Sequence, residues 1–203
     1  IPDALRRFKD KGIDRLVVFP LYPQYSSAAT GSSIERVAGL ASRSWNTPYL
    51  QIVPPFYDHR AFIDACVEVA RPVFAEGDWE RVLFSFHGLP ERHCRKSDDT
   101  GAHCLTHAAC CDRIVEANRN CYRAQCFASA AAIAEGLGVS QERRIVCFQS
   151  RLGRSPWIRP YTDEERAAML FAASADAIDR IFSDLWMELE GVGLSNMAKE
   201  LEL

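Results

Sequence analysis

The sequence lacks any run of about 18 apolar residues, so no helix of it is expected to cross a bilayer. It has little net charge: 24 Lys and Arg against 27 Asp and Glu leave −3. The basic residues are scattered rather than striped, which gives no electrostatic footprint for nucleic acid. The opening IPDALRRFKDKG has no apolar core of the signal-peptide type, and the absence of an initial Met suggests part of a longer chain. With no export signal, a reducing, cytoplasmic compartment is expected. Internal repeats and low-complexity linkers are also missing. What remains is ordinary for a globular protein, 48% hydrophobic and 25% charged residues. A length of 203 residues suffices for one large core or two small ones.

Four short apolar runs read as strands: Arg15 to Pro20, Tyr49 to Val53, Arg81 to Phe86 and Arg144 to Ser150. They are continuous rather than alternating, which suits a parallel sheet covered on both faces. Helical stretches separate them. SSIERVAGLASRSW follows a Gly-Ser turn. AFIDACVEVARPVFAE places Phe62, Ile63, Cys66, Val67, Ala70, Val73 and Phe74 on one face, and Pro72 should kink it or end it early. AQCFASAAAIAEGLG closes on Gly136 and Gly138, a fair C-cap. Strands alternating with helices predict a doubly wound α/β architecture. The last forty residues read instead as amphipathic helix, with Ile178, Ile181, Phe182, Leu185, Trp186 and Leu189 at helical spacing.

Ligands of such sheets sit beyond the carboxyl ends of the strands. The chemically loaded segments fall there: FPLYPQYSSAATGSS after the first strand, HGLPERH after the third, RLGRSPWIRPYTD after the fourth. Together they predict one pocket with aromatic walls. His87 ends the third strand, and an imidazole can accept a proton near neutral pH or offer a lone pair to a divalent metal. The hydroxyls leading into SSIERVAGLASRSW could hold an anion, although N-capping by Ser32 or Ser33 explains those two residues at least as well.

The cysteines are the anomaly. Of eight, Cys94, Cys104, Cys110, Cys111, Cys121 and Cys126 fall in the pattern C-x9-C-x5-C-C-x9-C-x4-C, in a polar segment that does not read as core. A disulfide scaffold belongs to small secreted domains. In a reducing compartment such a cluster points to metal, either one tetrahedral zinc or a small iron–sulfur cluster. No C-x2-C pair is present, and the irregular spacing fits a cluster better than zinc. His93, His103 and His107 are available as substitute ligands.

With VVFPLYPQYSSAATGSS, VLFSFHGLPERH, NRNCYRAQC and VCFQSRLGRSPWIRPYTDE in family order, from about residue 5 to residue 165, the sequence resembles the ferrochelatases. The resemblance implies insertion of ferrous iron into protoporphyrin IX, on a fold of two similar doubly wound halves, the first of them incomplete here. It divides the chain into residues 1–78, the C-terminal part of the first half, and 79–203, the second half with a cysteine-rich insertion at about 93–121 and a helical tail. His87 matches the family's active-site histidine, thought to bind the incoming metal or accept pyrrole protons. Tyr22, Tyr25 and Ser26 match the opposite wall of the pocket, and Gln149, Ser150 and Trp157 match the segment whose tryptophan lines the porphyrin. The insertion resembles that of bacterial members carrying a [2Fe–2S] cluster, which implies Cys104, Cys110, Cys111 and Cys121 as ligands, with Cys94 as substitute. Cys126 is discounted because members without a cluster also have it.

The resemblance also marks departures. The strands expected before residue 1 are absent, and after PYTDE only ADAIDRIFSD echoes the family's acidic motif, with Asp176 and Asp179 in register but no glutamate. An impaired enzyme, a chelatase for another divalent metal such as cobalt, a non-catalytic porphyrin- or cluster-binding module and a zinc-stabilised interaction domain are the competing readings. A partly open sheet predicts a homodimer or marginal stability. The apolar porphyrin leaves room for peripheral membrane contact, though no basic amphipathic helix argues for it.

Overall fold

A computed structural model describes residues 1–77 and 79–165. The tail expected to be helical and the Asp176/Asp179 echo lie, from residue 166 on, outside the described residues. The chain divides into two compact units, Ile1–Phe56 and Tyr57–Leu203.

In the first unit, helix α1 (Pro2–Asp10) starts with proline in its first turn, where a missing N–H costs nothing. Strand β1 (Arg15–Val18) runs parallel to β2 (Tyr49–Ile52), with Leu16 opposite Leu50. Between them, a π-helical turn (Ser27–Gly31) leads into α2 (Ser32–Ala41). Leu16, Val37, Ala41 and Phe56 are buried. The expectation of strands covered on both faces does not hold for these two: burial alternates, and Val17 and Tyr49 are exposed. Alternation is the signature of a one-sided sheet.

The second unit repeats the plan. Helix α3 (Arg60–Ala75) precedes β3 (Val82–His87), which pairs in parallel with β4 (Arg144–Gln149) from Val82↔Arg144 to His87↔Gln149. The crossover contains α4 (Glu91–Lys96), a cysteine-rich loop, a 3₁₀ turn (Glu116–Asn118) and α5 (Tyr122–Gly136). Pro72 does not end α3 early. Its ring tolerates helical φ, and it removes only one N–H within the last turn, on an exposed face.

Helices α3 and α5 pack together at a point where only glycine fits. A Cβ on Gly136 would lie 2.6 Å from Val67 Cγ2, a β-branched side chain with little rotamer freedom. Gly136→Ala is therefore expected to cost about 1–3 kcal/mol through overpacking, despite the better helix propensity of alanine. The urea midpoint reads the loss, and Val67→Ala in the same chain should recover most of it.

The core of this unit is unusual in content. Cys94, Cys104, Cys110, Cys111, Cys121 and Cys126 are all at most 5% exposed and cluster with Phe148, Ile158 and Val146. The cysteine segment reads as polar and outside the core because its polar residues outnumber its apolar ones. The structure turns the thiols inward and leaves Lys96, Asp99, Thr106 and Asp112 outside. Cysteine is itself among the most readily buried side chains.

Candidate active site

His87 stands at the carboxyl end of β3, its side chain exposed. Its Nδ1 lies 2.8 Å from the carbonyl of Gly88. A carbonyl can only accept, so Nδ1 carries the proton, and in the neutral ring Nε2 is left with its lone pair. Around it, the ends of β3 and β4 are stitched by backbone bonds: Gly88 N–H donates to the Gln149 carbonyl at 2.8 Å, Ile158 N–H to Leu89 at 2.9 Å, and Glu91 N–H to Pro156 at 3.0 Å.

Trp157 lies in this frame, bridged to Pro90, with Nε1–H donating to the Leu152 carbonyl at 2.8 Å. Ser150 follows β4 with φ of 67°, a left-handed conformation that is uncommon without glycine and concentrates at functional sites. His87, Gln149, Ser150 and Trp157 thus share one end of the β3–β4 sheet. A Cβ on Gly88 would stand 2.7 Å from the Gln149 carbonyl oxygen and 3.2 Å from Trp157 Cε3. Gly88→Ala should break the Gly88–Gln149 bond and displace the indole, costing about 1–3 kcal/mol. A lower urea denaturation midpoint would register it.

Tyr22, Tyr25 and Ser26 belong to the first unit. Tyr22 is exposed, and Ser26 is buried and caps the π-helical turn, its Oγ accepting from Ala29 N–H at 3.2 Å. The cap expected at Ser32 or Ser33 is displaced to Ser26. Ser32 Oγ–H instead donates back to the Ala28 carbonyl at 2.8 Å, because the π turn starts the helical path five residues sooner.

The thiols of the second unit converge on Cys121. Cys94, Cys104 and Cys111 all lie within hydrogen-bonding reach of its sulfur. S–H donation from Cys111 and Cys94 holds the Cys121 thiol well below the usual range. Its place at the N-cap of α5 favours the same thiolate, since the helix dipole is positive there. Hydrogen bonding to Cys121 and burial push Cys94 and Cys111 up, and burial followed by the Cys121 charge pushes Cys104 to about 12. Cys110 Sγ lies 3.7 Å from Cys111 Sγ. Among the described residues, no group of three or more His, Cys, Asp or Glu side chains is arranged to hold a metal ion.

Three residues that organise this loop are invisible to motif reading. Asp98 accepts from the N–H groups of His103 and Cys104 at 2.8 Å each, and from Thr100. These bonds, the Thr100 hydroxyl first, hold its carboxyl below the usual carboxylate range. Asn118, fully buried, donates to the carbonyls of Cys110 and Arg113 and accepts from Val115 N–H. Arg123 donates to Cys111 Sγ at 2.9 Å. An Asp or Asn in a loop has no sequence signature that distinguishes it from an ordinary turn residue. Of the histidines, His103 faces the Cys110 carbonyl through Nε2, which must carry the proton there. His93 Nδ1 is buried without a partner.

Comparison with known proteins follows the same residues. A family model described as Ferrochelatase matches residues 1–176. Ferrochelatase of Azotobacter vinelandii is 41% identical over 170 residues, 83% of this chain and 50% of the relative. Ferrochelatase of Stutzerimonas stutzeri is 43% identical over 164 residues, and that of Bdellovibrio bacteriovorus 40% over 163; each alignment covers 80% of this chain and 48% of the relative. The chain thus spans about half the length of the curated relatives it matches.

Proposed function

The chain belongs to the ferrochelatase family, and from that premise we propose that it serves the insertion of ferrous iron into protoporphyrin IX to give protohaem. The observation that carries this reading is the imidazole of His87, tied through Nδ1 to Gly88 and presenting Nε2 at the strand end that also holds Trp157. A metallating porphyrin gives up two pyrrole protons as the metal enters. Nε2 has the lone pair to accept one of them or to ligate the arriving iron, and Trp157 supplies an apolar face for the macrocycle. Gln149 and Ser150, and Tyr22, Tyr25 and Ser26 of the first unit, are the further substrate contacts we assign. Residues 1–78 are assigned to the C-terminal part of the first α/β half and 79–203 to the second.

The donor chemistry of the buried thiols suits a thiolate-held group: six cysteine sulfurs lie in one core, and the hydrogen bonds favour ionisation of Cys121. We assign a [2Fe–2S] cluster to Cys104, Cys110, Cys111 and Cys121, with Cys94 as substitute. Cys94 gains weight because its thiol meets Cys121 directly. When bound, such a group supplies one-electron redox chemistry. Among the described residues no helix is long and apolar enough to cross a membrane. A cytoplasmic enzyme with peripheral membrane contact is the reading we adopt. Among the described residues each sheet has two strands, and strand edges without a neighbour can pair with a second copy, which supports a homodimer.

The test is anaerobic incubation of the purified chain with protoporphyrin IX and ferrous iron, following haem formation optically, with cobalt in parallel. Haem formation supports the reading. Porphyrin binding without turnover would replace it by a non-catalytic binding module, and faster cobalt insertion by another chelatase. Iron and acid-labile sulfide assays address the cluster. A colourless protein containing zinc and no sulfide would overturn that assignment.

A further inference from the structure

One charged side chain penetrates the cysteine core, and no role above uses its charge. The Arg123 Nη1–H donates to Cys111 Sγ at 2.9 Å, and the same nitrogen lies 3.9 Å from Cys110 Sγ. Its Nε–H donates to the Arg159 carbonyl at 3.1 Å, two residues beyond Trp157. The guanidinium carbon stands 4.6 Å from the centre of the Phe127 ring. Sulfur, carbonyl and aromatic face fix the fork from three sides, so it cannot swing to solvent without losing all three. A planar guanidinium with divergent donors serves both the sulfur and the carbonyl.

We propose that Arg123 is a positioning residue that raises the reduction potential of the iron–sulfur group and ties the sulfur of Cys111 to the loop carrying Trp157. The proposal rests on the cluster reading above. Adding an electron to a thiolate-held cluster increases its negative charge. A fixed cation donating a hydrogen bond to a ligand sulfur, in a half-buried site, stabilises that reduced form more than the oxidised one. Arginine remains charged at every working pH, so the effect is permanent rather than a switch. A purely packing role would predict something else: loss of stability on truncation, with the potential unchanged.

The experiment is an anaerobic reductive titration of the full chain, followed by visible absorption and EPR, for the wild type, Arg123→Gln and Arg123→Lys. Iron and sulfide are counted in each. Arg123→Gln is expected to disfavour reduction by at least tenfold in the one-electron equilibrium, a shift of 59 mV to more negative potential. Arg123→Lys keeps the charge but loses the fork, and should stay closer to the wild type. Equal potentials in the wild type and Arg123→Gln, at full iron and sulfide content, would overturn the proposal. If Arg123→Gln fails to retain iron, Arg123→Lys decides: a fall of tenfold or more despite the retained charge overturns it, and a smaller fall supports it. A wild-type protein without acid-labile sulfide overturns the cluster reading, and this proposal with it. That failure is told apart from the first by the wild type alone.

Discussion

On the proposed reading, His87→Ala is expected to lower iron insertion by about 10²- to 10⁴-fold, the range for loss of a positioned acid–base group. The geometry makes the loss specific. The imidazole is exposed at the end of β3, and its Nδ1 contact is to the adjacent carbonyl, so no buried network depends on the ring. Folding should therefore survive, as should binding of the porphyrin against the Trp157 frame. The checks are steady-state haem formation, protoporphyrin fluorescence quenching and the urea midpoint, all on the same preparation. A fall in turnover with unchanged quenching places the effect in the chemical step. Turnover equal to the wild type would remove His87 from the reaction and leave the strand end as a binding surface.

On the proposed [2Fe–2S] reading, Cys121→Ser should abolish visible absorption and acid-labile sulfide, because Cys121 is the sulfur on which Cys94, Cys104 and Cys111 converge. Serine offers a hard oxygen where soft thiolate is wanted. It is also a good N-cap, so α5 has no local reason to unwind at Tyr122. The loss of the cluster can thus be separated from loss of the helix by far-UV circular dichroism. Cys126→Ser is the contrasting variant. Cys126 is fully buried and pushed up by its apolar surroundings, as an inert packing thiol would be. It should cost stability while leaving sulfide content intact. Retention of full sulfide in Cys121→Ser would remove Cys121 from the ligand set.

Much of the scaffold was legible in the sequence, and the reason is local. The four apolar runs become β1 to β4 within two residues at either end, since a short β-rich run between breakers has few other ways to bury itself. Helix α3 follows its apolar spacing, and α5 stops at the glycines that predict its end. The parallel pairing follows from strand, helix and strand in succession. Position at a strand end is likewise readable, and His87, Gln149 and Ser150 are found at such ends. The sequence also carries the family through four motifs in order.

Tertiary structure decided what depends on distance rather than spacing. Nothing in C-x9-C-x5-C-C-x9-C says that three thiols meet on the fifth, because loop residues far apart in sequence approach only when their backbone is folded by other groups. Those groups are Asp98, which gathers the N–H donors of His103 and Cys104, and Asn118, which ties Cys110 to Arg113. The burial of the cysteines is decided in the same way, by Phe148 and Ile158 arriving from beyond α5. So is the place of Arg123, to which no motif points and which becomes, through the Arg159 carbonyl and the Cys111 sulfur, the cation of the thiol centre. Local sequence determines elements because its interactions span one or two turns. The thiol centre is made by contacts between segments that only the closed β3–β4 crossover brings together.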